Sequence, residues 1–380
     1  MKKEFISLVK ELYGNDFVPL HRPVFEGNEK QYLVDCIDSN FVSSVGEKVT
    51  EFERKIADFT GSKFAIATVN GSSALYMCLH LSGVGRGDEV ITQALTFVAT
   101  ANAISYCSAI PVFIDVDKDT MGLSPSSLRA FLENYAEIRD GVCFNRQTGR
   151  IIKACVPMHT FGFPCRIQEV SEVCKKWNIE LVEDAAESLG SYFQNLHTGT
   201  FGRLAAISFN GNKIITTGGG GMIIIDDEDL AKRAKHLTTT AKVPHAYEFF
   251  HDEIGYNYRM PNLNAALGCA QMETLPQMLQ IKESIFARYS QFFDGCGIKM
   301  MRPIEDAICN NWLSAIILDS KEDRDDFLSY TNDNGVMTRP VWRLMSELKM
   351  FRDCQHDGLV NSFWLQSRVV NIPSSVPSLN

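Results

Sequence analysis

The chain has no apolar run of about 18 residues, the length at which a helix can cross a bilayer, so no membrane span is expected. It has no excess of positive charge. Lys and Arg number 37 against 46 Asp and Glu, a formal net charge of −9, which argues against nonspecific attraction to nucleic acid or to an anionic membrane. Any anion must therefore be bound locally. The 11 cysteines are scattered from Cys36 to Cys354 without a CxxC or a zinc-knuckle spacing. No metal site is expected, and an odd count without a framework suggests a reducing cytoplasm. The start, Met1-Lys2-Lys3-Glu4-Phe5, lacks the apolar core of an export signal. Internal repeats and low-complexity linkers are also missing.

What is there is an ordinary globular composition of 380 residues, 45% hydrophobic and 22% charged, with a length that suits two or three domains. Short apolar runs at 64–69, 89–93, 111–116, 151–158, 179–183, 205–209 and 222–225 read as strands. Between them, 72–81, 97–107, 124–135 and 166–177 have helical spacing, and Ser124-Pro125 supplies an N-cap with a first-turn proline. Asp226-Asp227-Glu228-Asp229 opens a further helix at 230–237, where acidic residues suit the helix dipole. This alternation predicts an α/β domain built on a mostly parallel seven-stranded sheet. Beyond Pro261, a helix over 262–275 ending at Pro276, a strand at 312–318, a helix at 322–330 and a strand beginning at 336–339 predict a smaller α+β domain. The expected division is an arm at 1–23, a large domain at 24–261 and a small C-terminal domain at 262–380.

In an open parallel sheet, ligands collect beyond the carboxyl ends of the strands, and the chemically suggestive residues fall there. After the first strand, Asn70-Gly71-Ser72-Ser73 leads into a helix, so backbone N–H groups and hydroxyls can meet a phosphate, or a serine can simply cap the helix. This turn carries no G-x-G-x-x-G, and no P-loop occurs anywhere, which points to a smaller cofactor than a dinucleotide. Phe97 can stack on a flat ring or fill the core. Asp184 ends a buried strand, either as a ligand to a planar group or as a turn aspartate. Lys213 follows the next strand and precedes Ile214-Ile215-Thr216-Thr217, an uncharged setting that favours a reactive amine over a surface charge. Gly218–Gly221 is either a flexible loop or a place of close backbone approach. A buried carboxylate and a lysine so placed are what a pyridoxal phosphate enzyme uses to keep its ring nitrogen protonated and to hold its aldehyde.

Taken together, Gly71-Ser72-Ser73-Ala74-Leu75, Thr96-Phe97, Glu183-Asp184-Ala185-Ala186-Glu187, Ser208-Phe209 with Lys213, and Gly255-Tyr256-Asn257-Tyr258-Arg259-Met260 resemble the DegT/StrS-type sugar aminotransferases. The upstream Phe41-Val42-Ser43-Ser44-Val45-Gly46 and Phe52-Glu53 extend the likeness. The resemblance implies fold type I, the aspartate aminotransferase fold, and a homodimer with active sites shared between subunits. It implies that Lys213 forms the aldimine with pyridoxal phosphate and shuttles the proton, that Asp184 faces the ring nitrogen, and that Glu187 faces the 3-oxygen side. Gly71, Ser72, Ser73 and Ser208 would hold the phosphate, Phe97 and Asn212 would line the cofactor, and Asn257 would reach in from the other subunit. Ser43, His159, Arg259, Trp312, Arg339 and Trp342 are the implied substrate contacts.

Within that family, Gly211–Thr217, Asn311-Trp312-Leu313-Ser314 and Thr338-Arg339-Pro340-Val341-Trp342 look most like the legionaminic acid and bacillosamine enzymes, LegC and PglE. These aminate C4 of nucleotide-linked 4-keto-6-deoxy sugars, so a UDP-2-acetamido-2,6-dideoxy-4-ketohexose is the implied substrate. L-glutamate is the implied donor, leaving 2-oxoglutarate. A GDP-linked 4-keto sugar of the perosamine type, amination at C3, a noncatalytic sensor on the same fold and a nicotinamide oxidoreductase are the rival readings. Two departures stand out: Gly219, where many relatives are acidic, and a tail ending shortly after Pro373, which suggests a shortened C-terminus.

Overall fold

A computed structural model describes residues 1–379. Its centre is a sheet of β1 (Phe64–Thr68), β2 (Glu89–Gln93), β3 (Ile110–Ile114), β4 (Ile152–Val156), β5 (Glu180–Asp184), β6 (Leu204–Ser208) and β7 (Gly221–Ile225). The spatial order is β1-β7-β6-β5-β4-β2-β3. β7 runs antiparallel to both β1 and β6, and the other pairs are parallel. All seven expected strands are present. Their near-continuous apolar character is what a sheet covered on both faces requires.

Helices α4 (Gly71–Leu81), α5 (Val98–Tyr106), α6 (Pro125–Tyr135), α7 (Ile167–Lys176) and α8 (Glu228–Thr238) flank this sheet. α6 begins as expected, with the Ser124 hydroxyl accepting from the Ser127 N–H and Pro125 in the first turn. α8 is capped by Asp227, which accepts from the Leu230 N–H. Preceding the sheet are α1 (Lys2–Tyr13), α2 (Glu29–Asp38) and α3 (Glu47–Thr60), the last two packed on α9 (Asn262–Gly295).

α9 corrects one expectation. The helix does not end at Pro276 but continues to Gly295 with that proline inside it. Buried residues before and after the proline, from Ala265 and Cys269 to Ile285, Tyr289 and Phe293, anchor both halves. Tertiary packing thus outweighs the lost backbone bond. The far half carries a further core with β8 (Lys299–Met300), β9 (Ser314–Ile317) and α10 (Lys321–Asp333), joined by β11 (Val369–Ile372) with β10 (Arg339–Pro340) at the sheet edge, whereas Leu365 of α11 (Val360–Gln366) packs in the main core. The sheet order here is β8-β9-β11-β10. Phe5, Ile6 and Val9 of α1 join this core beside Tyr289, Phe293 and Phe327.

Candidate active site

Because β7 is antiparallel to its neighbours, β1 and β6 point the same way, and the segments following β1, β2, β4, β5 and β6 meet at one edge of the sheet. They enclose a cavity of about 310 Å³ whose wall includes Gly71, Ser72, Phe97, Asp184, Glu187, Ser208, Asn212, Lys213, Trp312 and Trp342.

α4 enters end-on. Its cap is Asn70, whose side chain accepts from the Ser73 N–H at 2.8 Å, so neither serine serves as the cap. The helix start is pressed against β6 and β7. A Cβ on Gly71 would lie 2.7 Å from the Ser208 Cβ, and one on Gly221 would lie 2.4 Å from the Asn70 carbonyl oxygen. The glycine run therefore includes a point of close backbone approach. The α4 N–H groups and the Ser208 hydroxyl are left at the cavity wall, a natural seat for an anion.

Asp184 ends β5 with 4% of its surface exposed. Its Oδ2 accepts from the Thr100 hydroxyl at 2.7 Å and its Oδ1 from the Ala186 N–H at 3.1 Å. Burial raises its carboxyl above the ordinary range, against the pull of Thr100, Ala186 and the Lys213 charge. Glu187 is equally enclosed. Its Oε2 accepts from the Phe161 N–H at 2.9 Å and its Oε1 lies 3.0 Å from the Lys213 Nζ. Burial raises its carboxyl too, with Lys213 opposing.

Lys213 is no surface lysine, since its side chain is only 12% exposed. Its Nζ stands 4.2 Å from the centre of the Trp312 ring, a cation–π contact. The Trp312 indole N–H donates to the Asn212 carbonyl at 2.7 Å. Phe97, by contrast, is 46% exposed. Its ring is 6.0 Å from that of Trp342, so it offers a face to the cavity rather than filling the core.

Other expected residues lie elsewhere. His159 is fully buried behind Asp184, with Nε2 3.0 Å from Glu183 and Nδ1 accepting from the Cys165 N–H. It forms no part of the cavity wall, because its ring is consumed by these partners. Arg339 lies on the edge strand β10 and donates to Asn332 and to the Thr338 carbonyl. Ser43, Ser73, Asn257 and Arg259 are likewise outside the wall, with Arg259 donating to Asn257 at 3.3 Å. Sequence reasoning missed Thr100, the donor to Asp184, although it lies one helical turn after Thr96, whose hydroxyl it meets at 2.8 Å. Met158 and Asn210 in the wall carried no signal.

The DegT/DnrJ/EryC1/StrS aminotransferase family matches residues 23–379. The chain belongs to that family. A putative pyridoxal phosphate-dependent aminotransferase, EpsN, of Bacillus subtilis (strain 168) is 35% identical over 333 residues, covering 87% of this chain and 83% of its own. A GDP-perosamine synthase of Caulobacter vibrioides is 35% identical over 352 residues, covering 89% and 90%. Among solved structures, the PLP form of the putative sugar aminotransferase Spr1654 from Streptococcus pneumoniae superposes with a TM-score of 0.84 at 22% identity, covering 94% and 93%. This member of the DegT/DnrJ/EryC1/StrS family has the type I fold and is a pyridoxal phosphate-dependent transaminase. The cavity fits that cofactor: an anion seat at α4, a buried carboxylate, an exposed ring face and an amine share one wall. No helix among the described residues is long and apolar enough to cross a membrane.

Proposed function

We propose that this transaminase aminates C4 of a nucleotide-linked 4-keto-6-deoxy sugar with L-glutamate as donor. The observation carrying the reading is the joint placement of Lys213, Asp184, Glu187 and the α4 N-terminus around one cavity. Pyridoxal phosphate, when bound, supplies an aldehyde that condenses with amines and a ring that accepts the electron pair left by a departing proton. Lys213 would hold the cofactor covalently and, once released, move the proton at the reacting carbon as general acid and base. Asp184 would keep a proton on the ring nitrogen, and its low exposure excludes water that would weaken this charge pairing. Glu187 would steady the released Lys213 amine, its partner here at 3.0 Å. Ser72, Ser208 and the Gly71 and Ser72 amides would hold the phosphate, the Ser73 amide being spent on the Asn70 cap.

The 311–314 and 338–342 segments support a UDP-linked 2-acetamido sugar, by their likeness to the legionaminic acid and bacillosamine enzymes. A second reading, a GDP-linked 4-keto-6-deoxymannose, is favoured by the relatives, of which the Caulobacter protein at 35% identity is named for GDP-perosamine. Either substrate would reach a site completed by a second subunit. Supporting this are the exposed Phe41, Val45, Tyr247, Phe249 and Ile254, apolar surface that a second copy would cover; Asn257 of the partner subunit would then reach the phosphate. Incubation with UDP- and GDP-linked 4-keto-6-deoxy sugars plus glutamate, followed by mass and NMR identification of products, tests the reading. A 4-amino sugar from one nucleotide series supports it, and glutamate-dependent amination of neither overturns it. Light scattering tests the dimer.

A further inference from the structure

Lys282 is an unusual lysine, because it is 2% exposed and pairs with no carboxylate among the described residues. It projects from the middle of α9, and its ammonium donates to the carbonyls of Asn311 at 3.1 Å, Trp312 at 3.2 Å and Ser374. Three acceptors match the three N–H donors of a protonated amine. Burial pushes Lys282 down to about 7, and the three carbonyl acceptors favour its protonated form against that cost. Asn311 adopts the left-handed backbone conformation at φ +52° that asparagine tolerates, and its carbonyl and the next one reach the same ammonium.

The segment held in this way leads to the cofactor lysine. Asn310 donates to the carbonyls of Glu187 and Leu189 at 2.8 and 2.9 Å, which ties it to the loop after β5. Trp312 donates to the Asn212 carbonyl and covers the Lys213 amine with its ring. Ser374 continues the path to the N-terminal arm, its N–H donating to the Leu20 carbonyl at 2.8 Å. Next to Leu20, the His21 ring stands 6.4 Å from that of Trp312. Burial, then the charges of Lys282 and Lys213, holds His21 well below its ordinary pKa, and a neutral ring adds no further positive charge beside Trp312.

We propose that Lys282 is a positioning residue for transamination, holding the 310–312 segment so that Trp312 fixes the Asn212–Lys213 peptide and covers the lysine amine. It touches neither cofactor nor substrate and acts through Trp312. The inference rests on Lys213 being the cofactor lysine, which borohydride fixation and peptide mapping of each variant check separately.

The experiment is a double-mutant cycle on the holoenzyme with Lys282→Met and Trp312→Phe. Visible circular dichroism of the bound cofactor reads its orientation, and stopped-flow with glutamate reads the first half-reaction. Lys282→Met is expected to change the dichroism per bound cofactor and to slow the half-reaction on the order of tenfold or more, as small misplacements at a reacting centre do. The double variant should be no slower than Trp312→Phe alone. Lys282→Gln, with two N–H donors, should fall between wild type and Lys282→Met, and it carries the test if Lys282→Met does not fold. Additive effects would overturn the proposal. So would a Lys282 variant that melts earlier yet keeps wild-type dichroism and rate, because Lys282 would then be only a structural support.

Discussion

Lys213 Nζ lies 3.0 Å from Glu187 Oε1, although Glu187 has only 3% of its surface exposed. A buried carboxylate without a partner is costly, and here the lysine together with the Phe161 N–H provides the partners.

That pairing has a pH signature in the protein freed of cofactor. Glu187 and Asp184 both have raised carboxyl pKa values, chiefly through burial. They hold their protons more tightly folded than unfolded. The stability this contributes is complete below the ordinary carboxylate range and is lost as pH rises through the folded values. Glu187→Gln should flatten part of that decline in a series of thermal melts across acidic pH. An unchanged slope would contradict the titration of Glu187.

Asp184 and Thr100 act together across the interior. Asp184→Ala should still bind cofactor, while turnover falls on the order of 100-fold. Thr100→Val removes a hydrogen bond to a charged group, a loss of about 1.5–3 kcal/mol. The Asp184 carboxyl should rise further, and the acid limb of the pH–rate profile should move to higher pH.

Behind the site, His159 and Glu183 form a fully buried pair at 3.0 Å. Glu183 also accepts from the N–H groups of Gly199, Phe201 and Gly202. An Nδ1 that accepts from the Cys165 N–H carries no proton, so His159 is a neutral ring that donates its Nε2–H to Glu183. Glu183→Gln should cost about 1.5–3 kcal/mol, because an amide with a single acceptor oxygen cannot serve four buried donors as the carboxylate does. Chemical denaturation at pH 7 checks this, and an unchanged midpoint would contradict it.

At the anion seat, Gly71→Ala places a Cβ 2.7 Å from the Ser208 Cβ. Overpacking of this kind costs about 1–3 kcal/mol. Cofactor affinity, measured by titrating the visible absorbance, should fall about tenfold, with little change in the overall fold by far-UV circular dichroism.

The seven-stranded sheet was legible because strands covered on both faces read as continuous apolar runs, as Leu204–Ser208 and Gly221–Ile225 do. The cap at Ser124 and the acidic start of α8 were legible because helix-start signals are local. The course of α9 through Pro276 was not, since residues distant in sequence decide whether that helix survives. The same division holds at the site. Asp184 and Lys213 stand out because they follow strand ends, whereas Thr100 meets Asp184 only in the folded chain. That His159 meets Glu183 was not legible, because the two are 24 residues apart and come together only in the folded chain. Lys282 reads as a solvated charge in any linear pattern, and only its three carbonyl acceptors reveal otherwise.

The most direct measurement is borohydride reduction of the holoenzyme followed by peptide mapping. The expected result is one cofactor-labelled peptide carrying the mass increment on Lys213, with the label abolished in Lys213→Ala. Fixation at another lysine, or equal labelling of the Lys213→Ala variant, would contradict the central claim that this amine holds the cofactor.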